Sequence, residues 1–402
     1  MSFHGSFFRG RGRGRGSSWR GGAKGVEASA PPKPLGPAID SINIKTLLIE
    51  EVAPKIKDFE YIASYNWLDG KSPTILVPGS PPAWTPPAAD PKLKPDSEEV
   101  FRDINAARYA LYPMEPIFRS LRALKPEYDL QSTDIVGCGS TFGNLMRFAR
   151  SESRPFRFDV DVIGDTVLFV RRESSPTEVI ADLQGYGHTF PDAYTTWDME
   201  VRNSCSHQRI VRYDFGGLKF LVRTETDGYV KLSGTDAPSR PSEPANESSV
   251  AEALESMFVA SGELARDQKL KLKIKGTLIP QQQIFDIKTR ASYKSFDMNE
   301  ILPRLWLNQT PKFLIAYHTS GLFDHPEVKD VRQDVIRWEN DNSAILARFH
   351  ALVSRIVDVV RDSESKQCEA SWDGQGPLLI TEQIGEARRA LPPDLIQLFG
   401  FP

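Results

Sequence analysis

Hydrophobic positions become regular only from about Ile39, where SINIKTLLIEEV and FEYIASYNWL open the folded body. SEEVFRDINAARYALYPMEPIFRSLRAL has a helical spacing of apolar residues, and the acids at its start suit a helix N-terminus. The centre changes period. RPFRFDVDVIGDTVLFVRRE holds two alternating runs around Gly164-Asp165, which predicts a hairpin. LKFLVRTETDGYV (218–230) is read as one strand, and KLKLKIKG (269–276) alternates like a half-exposed strand. QQQIFDIKTR and KFLIAYH (312–318) follow as buried strands, and residues 330–361 predict one long amphipathic helix.

Between these elements the pattern lapses. Residues 72–95 (SPTILVPGSPPAWTPPAADPKLKP) are rich in proline and predict an extended surface loop. Residues 232–256, with GTDAPSRPSEPANESS, have the composition of a disordered insertion between two strands. No internal repeat is visible. The expected architecture is a single α+β domain over 39–402, with a central mixed β-sheet flanked by helices.

Composition adds an arm. Residues 1–38 begin MSFHGSFFRGRGRGRGSSWRGGAKG and cannot bury enough surface to fold. The first 25 residues carry Arg9, Arg11, Arg13, Arg15, Arg20 and Lys24 and no acid. The whole chain has 50 Lys and Arg against 53 Asp and Glu, so the body without those six is near −9. Arginine grips phosphate in a fork and stacks on bases, and the interspersed glycines let the backbone follow a single strand. Phe7, Phe8 and Trp19 add stacking surface. The arm therefore reads as an RNA-binding element, with a solubilising tail as the plain alternative.

Three cysteines, odd in number and far apart, fit neither a disulfide framework nor a zinc site. No apolar run approaches the ~18–20 residues of a membrane span, and the N-terminal stretch lacks a secretory core. The expectation is a soluble intracellular protein, nuclear and/or cytoplasmic, without a membrane partner. A phosphate loop ending in GK[ST] and a DDxxD element are both absent, and GCGST lacks nucleophile-elbow spacing.

One constellation carries chemistry. Residues two apart on a strand share a face, so Asp286 and Lys288 in IFDIKTR point together, as do Glu225 and Asp227 in RTETDGYV. If the two strands are neighbours, three carboxylates and an ammonium converge. Such acids repel one another unless a cation such as Mg²⁺ or Mn²⁺ compensates. An acid-x-lysine triplet arises by chance roughly three times at this composition. From these residues alone, a metal-dependent phosphodiester site and a structural Glu225–Lys288 salt bridge remain equal readings. His188, His207 and His318 are read as structural or surface histidines, Trp306 and Trp338 as core.

E-x-D on one strand and (D/E)-x-K on the next resemble the core of the PD-(D/E)xK nuclease superfamily. The surroundings resemble one branch, the DXO-type decapping nucleases that act on RNA 5′ ends, among them the partner of the nuclear 5′–3′ exoribonuclease. The segment 134–173, GYGHTFPDAY, RTETDGYV, IFDIKTR and LPRLWLNQTPKFLIAYH carry the likeness, over roughly residues 130–320. The resemblance implies metal ligation by Glu225, Asp227, Asp286 and the Ile287 carbonyl, with Mg²⁺ or Mn²⁺ as cofactor. It implies Lys288 as catalytic lysine beside Asp227, and Gln309 as a residue that positions substrate or water. RNA 5′ ends become the expected substrate, mRNA quality control the expected setting, and a 5′–3′ exoribonuclease an expected partner. Two departures stand out. Cys138-Gly139-Ser140 replaces the family's Trp-Arg-Gly, and Pro191 falls on a motif glutamate, with Asp192 next to it as a possible substitute ligand. Either specificity has shifted, or catalysis has decayed and an RNA-binding or scaffold role remains.

Overall fold

Two β-sheets, not one, organise the described residues of this computed structural model. It describes residues 34–400 apart from 50–52, 71, 181–182, 184, 232–268 and 386–387. The arm with Arg9, Arg11, Arg13, Arg15, Trp19 and Arg20 lies outside the described residues, as does the 232–256 insertion. The class is α+β, with mixed sheets flanked by helices.

Among the described residues the larger sheet has eleven strands, and Leu218–Glu225 runs near its middle. That strand is parallel to Ile135–Cys138 and antiparallel to Ser204–Phe215. Its side chains alternate between two cores: Phe220 and Val222 face one, and Leu221 faces the other. The sheet is therefore buried on both faces, which explains the nearly continuous apolar run in its central strands. One face is covered by the helices Gly139–Ala149, Leu302–Asn308, Arg332–Asp341 and Ser343–Asp362. The other is covered by Glu115–Leu124 and the C-terminal Leu391, Leu395 and Phe399. The Gly164-Asp165 turn joins Phe156–Ile163 to Thr166–Arg171 as an antiparallel hairpin.

The smaller, seven-stranded sheet contains Gly228–Tyr229, Ile284–Ala291 and Lys312–Thr319. Its order corrects the reading of 218–230 as one strand. The chain leaves the larger sheet at Glu225 and joins the smaller one at Gly228, where Gly228 pairs with Phe285. A Cβ on Gly228 would lie 2.5 Å from Phe285 Cζ, so only glycine lets the two strands approach across that aromatic ring.

Three further elements differ from expectation. Thr74–Pro78 is a buried strand rather than surface loop, because TILVP is apolar and pairs in parallel with Lys271–Lys275. The expected helix from Ser97 is two short ones, Ile104–Arg108 and Glu115–Leu124, the first capped by Asp103 and the two separated around Pro113. The long C-terminal helix breaks at Asn342 into Arg332–Asp341 and Ser343–Asp362.

Candidate active site at the junction of the sheets

The crossing from one sheet to the other puts acids at the edge of a wide cavity of about 1080 Å³. Glu225 ends the large-sheet strand, Asp227 lies in the crossing, and Asp286 comes from the neighbouring small-sheet strand; all three line this cavity. Asp227 Oδ2 accepts the Ile287 N–H at 2.6 Å, which ties the crossing segment to the strand that carries Asp286. Asp286 is buried, 3 % exposed.

The cation facing these acids is Arg304, from the Leu302–Asn308 helix, with Nη2 3.0 Å from Asp286 Oδ2. The ion pair lacks hydrogen-bond alignment, so Asp286 Oδ2 is a buried carboxylate oxygen without a donor. Glu225 and Arg304 are open to the cavity yet ringed by protein; 48 % of the Arg304 side chain is accessible. Burial and the Asp286 charge push the Asp227 carboxyl up to about 7. Burial also raises Asp286, against the pull of Arg304. Glu225 is raised by burial and then by Asp103, which caps the Ile104–Arg108 helix and lines the same cavity. Burial works against the charge on Arg304, and Asp286, Asp227 and Glu225 more than offset it.

The other expected site residues stand elsewhere. Lys288 is exposed and is not among the residues lining the cavity; two residues further along the strand, about 7 Å, carry it past the acids. Gln309 caps its helix in the left-handed region, φ 52°, and its side chain folds back to donate to the Trp306 carbonyl at 2.6 Å. Its neighbour Asn308 lines the cavity instead. Ile287 contributes its N–H rather than a cavity-facing group. Asp192 is exposed on the Thr189–Tyr194 helix, outside the lining, with its carboxyl raised by burial and Glu98. His188 lines the cavity, its N–H held with those of Gly187 and Thr189 by Asp96. His207 is buried against Asn66 at 2.5 Å and kept neutral by burial, and His318 packs on Tyr186.

Gly139 has a structural reason. A Cβ there would lie 2.6 Å from Asn308 Oδ1, itself buried and without a donor. Asn308 fills the space an arginine at 139 would need. Reading the sequence missed Arg304 and Asn308, because neither lies in a motif and only the packing of the 302–308 helix brings them to the acids.

Among the described residues, no three His, Cys, Asp or Glu side chains are gathered closely enough to hold a metal ion by themselves. Magnesium and manganese sites in phosphoryl-transfer proteins often use only one or two carboxylates and leave the rest to water and substrate phosphate. Asp227 and Asp286, two carboxyls on one cavity wall with Asp286 Oδ2 held by the Arg304 ion pair alone among the described residues, fit that smaller set.

The comparisons with known proteins agree on the scaffold. No curated protein matches the sequence significantly. Among solved structures, Scheffersomyces stipitis Rai1 in complex with (3′-NADP)+ and calcium ion matches with TM-score 0.57 and 11 % identity, covering 91 % of this chain and 99 % of that one. Candida albicans Rai1 in complex with pU5–Mn²⁺ gives 0.54 and 11 %, covering 90 % and 98 %. K. lactis Dxo1 in complex with manganese gives 0.51 and 12 %, covering 86 % and 97 %. The chain thus has the Rai1/Dxo1 fold. A family model described as "Domain of unknown function (DUF8563)" matches residues 49–396, and the chain belongs to that family.

Proposed function

We propose that this protein is a divalent-metal-dependent hydrolase acting on RNA 5′ ends, by decapping, pyrophosphohydrolysis or 5′–3′ exonucleolysis. The observation that carries the reading is the convergence of Glu225, Asp227, Asp286 and Arg304 on one cavity at the junction of the sheets. Support comes from the fold shared with Rai1 and Dxo1 proteins, whose solved complexes include pU5, calcium and manganese.

Asp227 and Asp286 would hold Mg²⁺ or Mn²⁺, with Glu225 on the adjoining wall. A bound divalent ion supplies polarisation of the phosphoryl oxygen and a water of lowered pKa. The Ile287 N–H fixes the Asp227 carboxylate, so that it is oriented before substrate arrives. Arg304, half open to the cavity, balances the acids and offers N–H donors to a phosphoryl group as its charge develops. The role expected of Lys288 passes to Arg304 in this scheme. Gly139 with Asn308 gives this wall a neutral amide where the decapping family carries an arginine.

The test is hydrolysis of 5′-monophosphate, 5′-triphosphate and capped RNA with Mg²⁺ or Mn²⁺. Metal-dependent release from at least one substrate, lost in Asp286→Asn, supports the reading. A second reading, an RNA-binding or scaffold protein that stabilises a nuclease partner, is favoured by one observation: Lys288 lies outside the cavity. RNA binding without hydrolysis of any of the three substrates selects it.

A further inference from the structure

Among the described residues, eight arginines line the cavity. Arg102, Arg108, Arg150, Arg171 and Arg304 each have an acid within 3.0 Å, and Arg223 is buried on the Pro113 carbonyl at 3.0 Å. Arg147 and Arg154 have no ion-pair partner among the described residues. Arg147, on the Gly139–Ala149 helix, reaches only Asn144 by a side-chain contact, and its Nε is buried without a partner. Arg154 is exposed, just past the turn at Ser151. One basic residue near a helix C-terminus is accounted for by the helix dipole. Three facing one cavity, with Glu152 already taken by Arg150, are not. Burial and the charge of Arg154 lower the Arg147 guanidinium against the pull of Glu152, and the geometry leaves more cations than acids at this end of the cavity.

Position along the helix sets which anion. Gly139 and Asn308 mark the acid end, and Arg147 lies eight residues on, about 12 Å at ~1.5 Å per residue. Consecutive phosphates of a strand lie farther apart than the ~3.4 Å axial rise of a stacked base, so this distance spans only the first few nucleotides. We propose that Arg147 and Arg154 form a phosphate-binding subsite for single-stranded RNA, gripping the backbone a few nucleotides downstream of the end held at Asp227 and Asp286. The inference rests on the reading of the cavity as an RNA site and deepens it. The subsite selects for length and is indifferent to base.

The experiment measures binding of 5′-monophosphorylated oligouridines of one, two, five and ten nucleotides. It uses the full chain with chelator present, from 50 to 200 mM salt, and compares wild type with Arg147→Gln/Arg154→Gln. Loss of two phosphate contacts lowers the salt slope by about 1.4, equivalent to roughly 25-fold in affinity at 0.1 M salt. The five- and ten-nucleotide ligands lose this affinity, and the mononucleotide does not. Arg147→Lys/Arg154→Lys keeps most of it, which separates lost charge from misfolding. An unchanged slope in the glutamine variant, or equal loss for the mononucleotide, overturns the subsite and leaves the hydrolase reading intact. Length-dependent loss supports the subsite, and it stands even if a separate assay with Mn²⁺ shows no 5′-end hydrolysis and so removes the hydrolase. Failure to bind any length removes the subsite, and the hydrolase is then judged on the Mn²⁺ assay alone.

Discussion

Replacing Asp227 with asparagine should stabilise the metal-free protein, and only above acidic pH. Folded Asp227 keeps its proton up to about pH 7, because burial and Asp286 oppose its charge. The unfolded chain gives up that proton near 4. Between those values the folded state binds more protons, so wild-type stability falls as pH rises and levels off above 7. Asparagine has no such titration, and its Oδ1 can still accept the Ile287 N–H. The variant's advantage is therefore absent at pH 4, grows to pH 7 and then stays constant. Three units correspond to a ceiling of about 4 kcal/mol, and screening in an open cavity brings the expectation to about 2. With roughly 320 described residues at ~2.1 cal/mol/K each, the unfolding entropy is near 0.7 kcal/mol/K, so Tm rises by about 3 °C. Calorimetry of both proteins from pH 4 to 8 with chelator present measures the difference directly and cancels the titrating groups that do not interact with Asp227. An equal difference at pH 4 and pH 8, or a less stable variant at pH 8, refutes the reasoning.

Arg304→Met should lower 5′-end hydrolysis by at least about 100-fold, whereas Lys288→Met changes it less than about threefold, measured as kcat/KM on one RNA. Gly139→Ala should cost about 1–3 kcal/mol by overpacking, visible as a lowered Tm, because its Cβ meets Asn308 Oδ1. Adding Asn308→Ala should recover part of that loss, and purely additive effects would show that the contact is not the cause. Manganese should raise Tm more at pH 8 than at pH 6 in wild type, since ligation competes with the Asp227 proton, and the pH dependence should shrink in Asp227→Asn.

Where structure is written in local periodicity, the sequence is a good guide. FRFDVDVI and TVLFVR alternate around a turn and form the hairpin expected of them. Glu225, Asp227 and Asp286 are legible as a group, because E-x-D and D-x-K place acids at strand ends that tertiary packing can gather. The change of sheet between Glu225 and Gly228 is not legible. It depends on Gly228 pairing with Phe285, nearly 60 residues away, and the intervening sequence shows no break. The change also explains Lys288: sharing a face with Asp286 does not place it in the cavity when the strand runs on past the acids. Arg304 and the Gly139–Asn308 contact are non-local in the same way. TILVP is misjudged for the opposite reason, since its proline-rich flanks mask an apolar run that a distant strand pairs with.

The most direct test of the account is single-turnover cleavage of a 5′-labelled, 5′-monophosphorylated RNA, alongside its triphosphorylated and capped forms, with Mn²⁺. It compares wild type, Asp286→Asn and Lys288→Met. Metal-dependent release of the 5′ end from at least one substrate is expected of wild type and Lys288→Met, and none of Asp286→Asn. Equal activity in Asp286→Asn, or no release from any substrate by wild type, contradicts it.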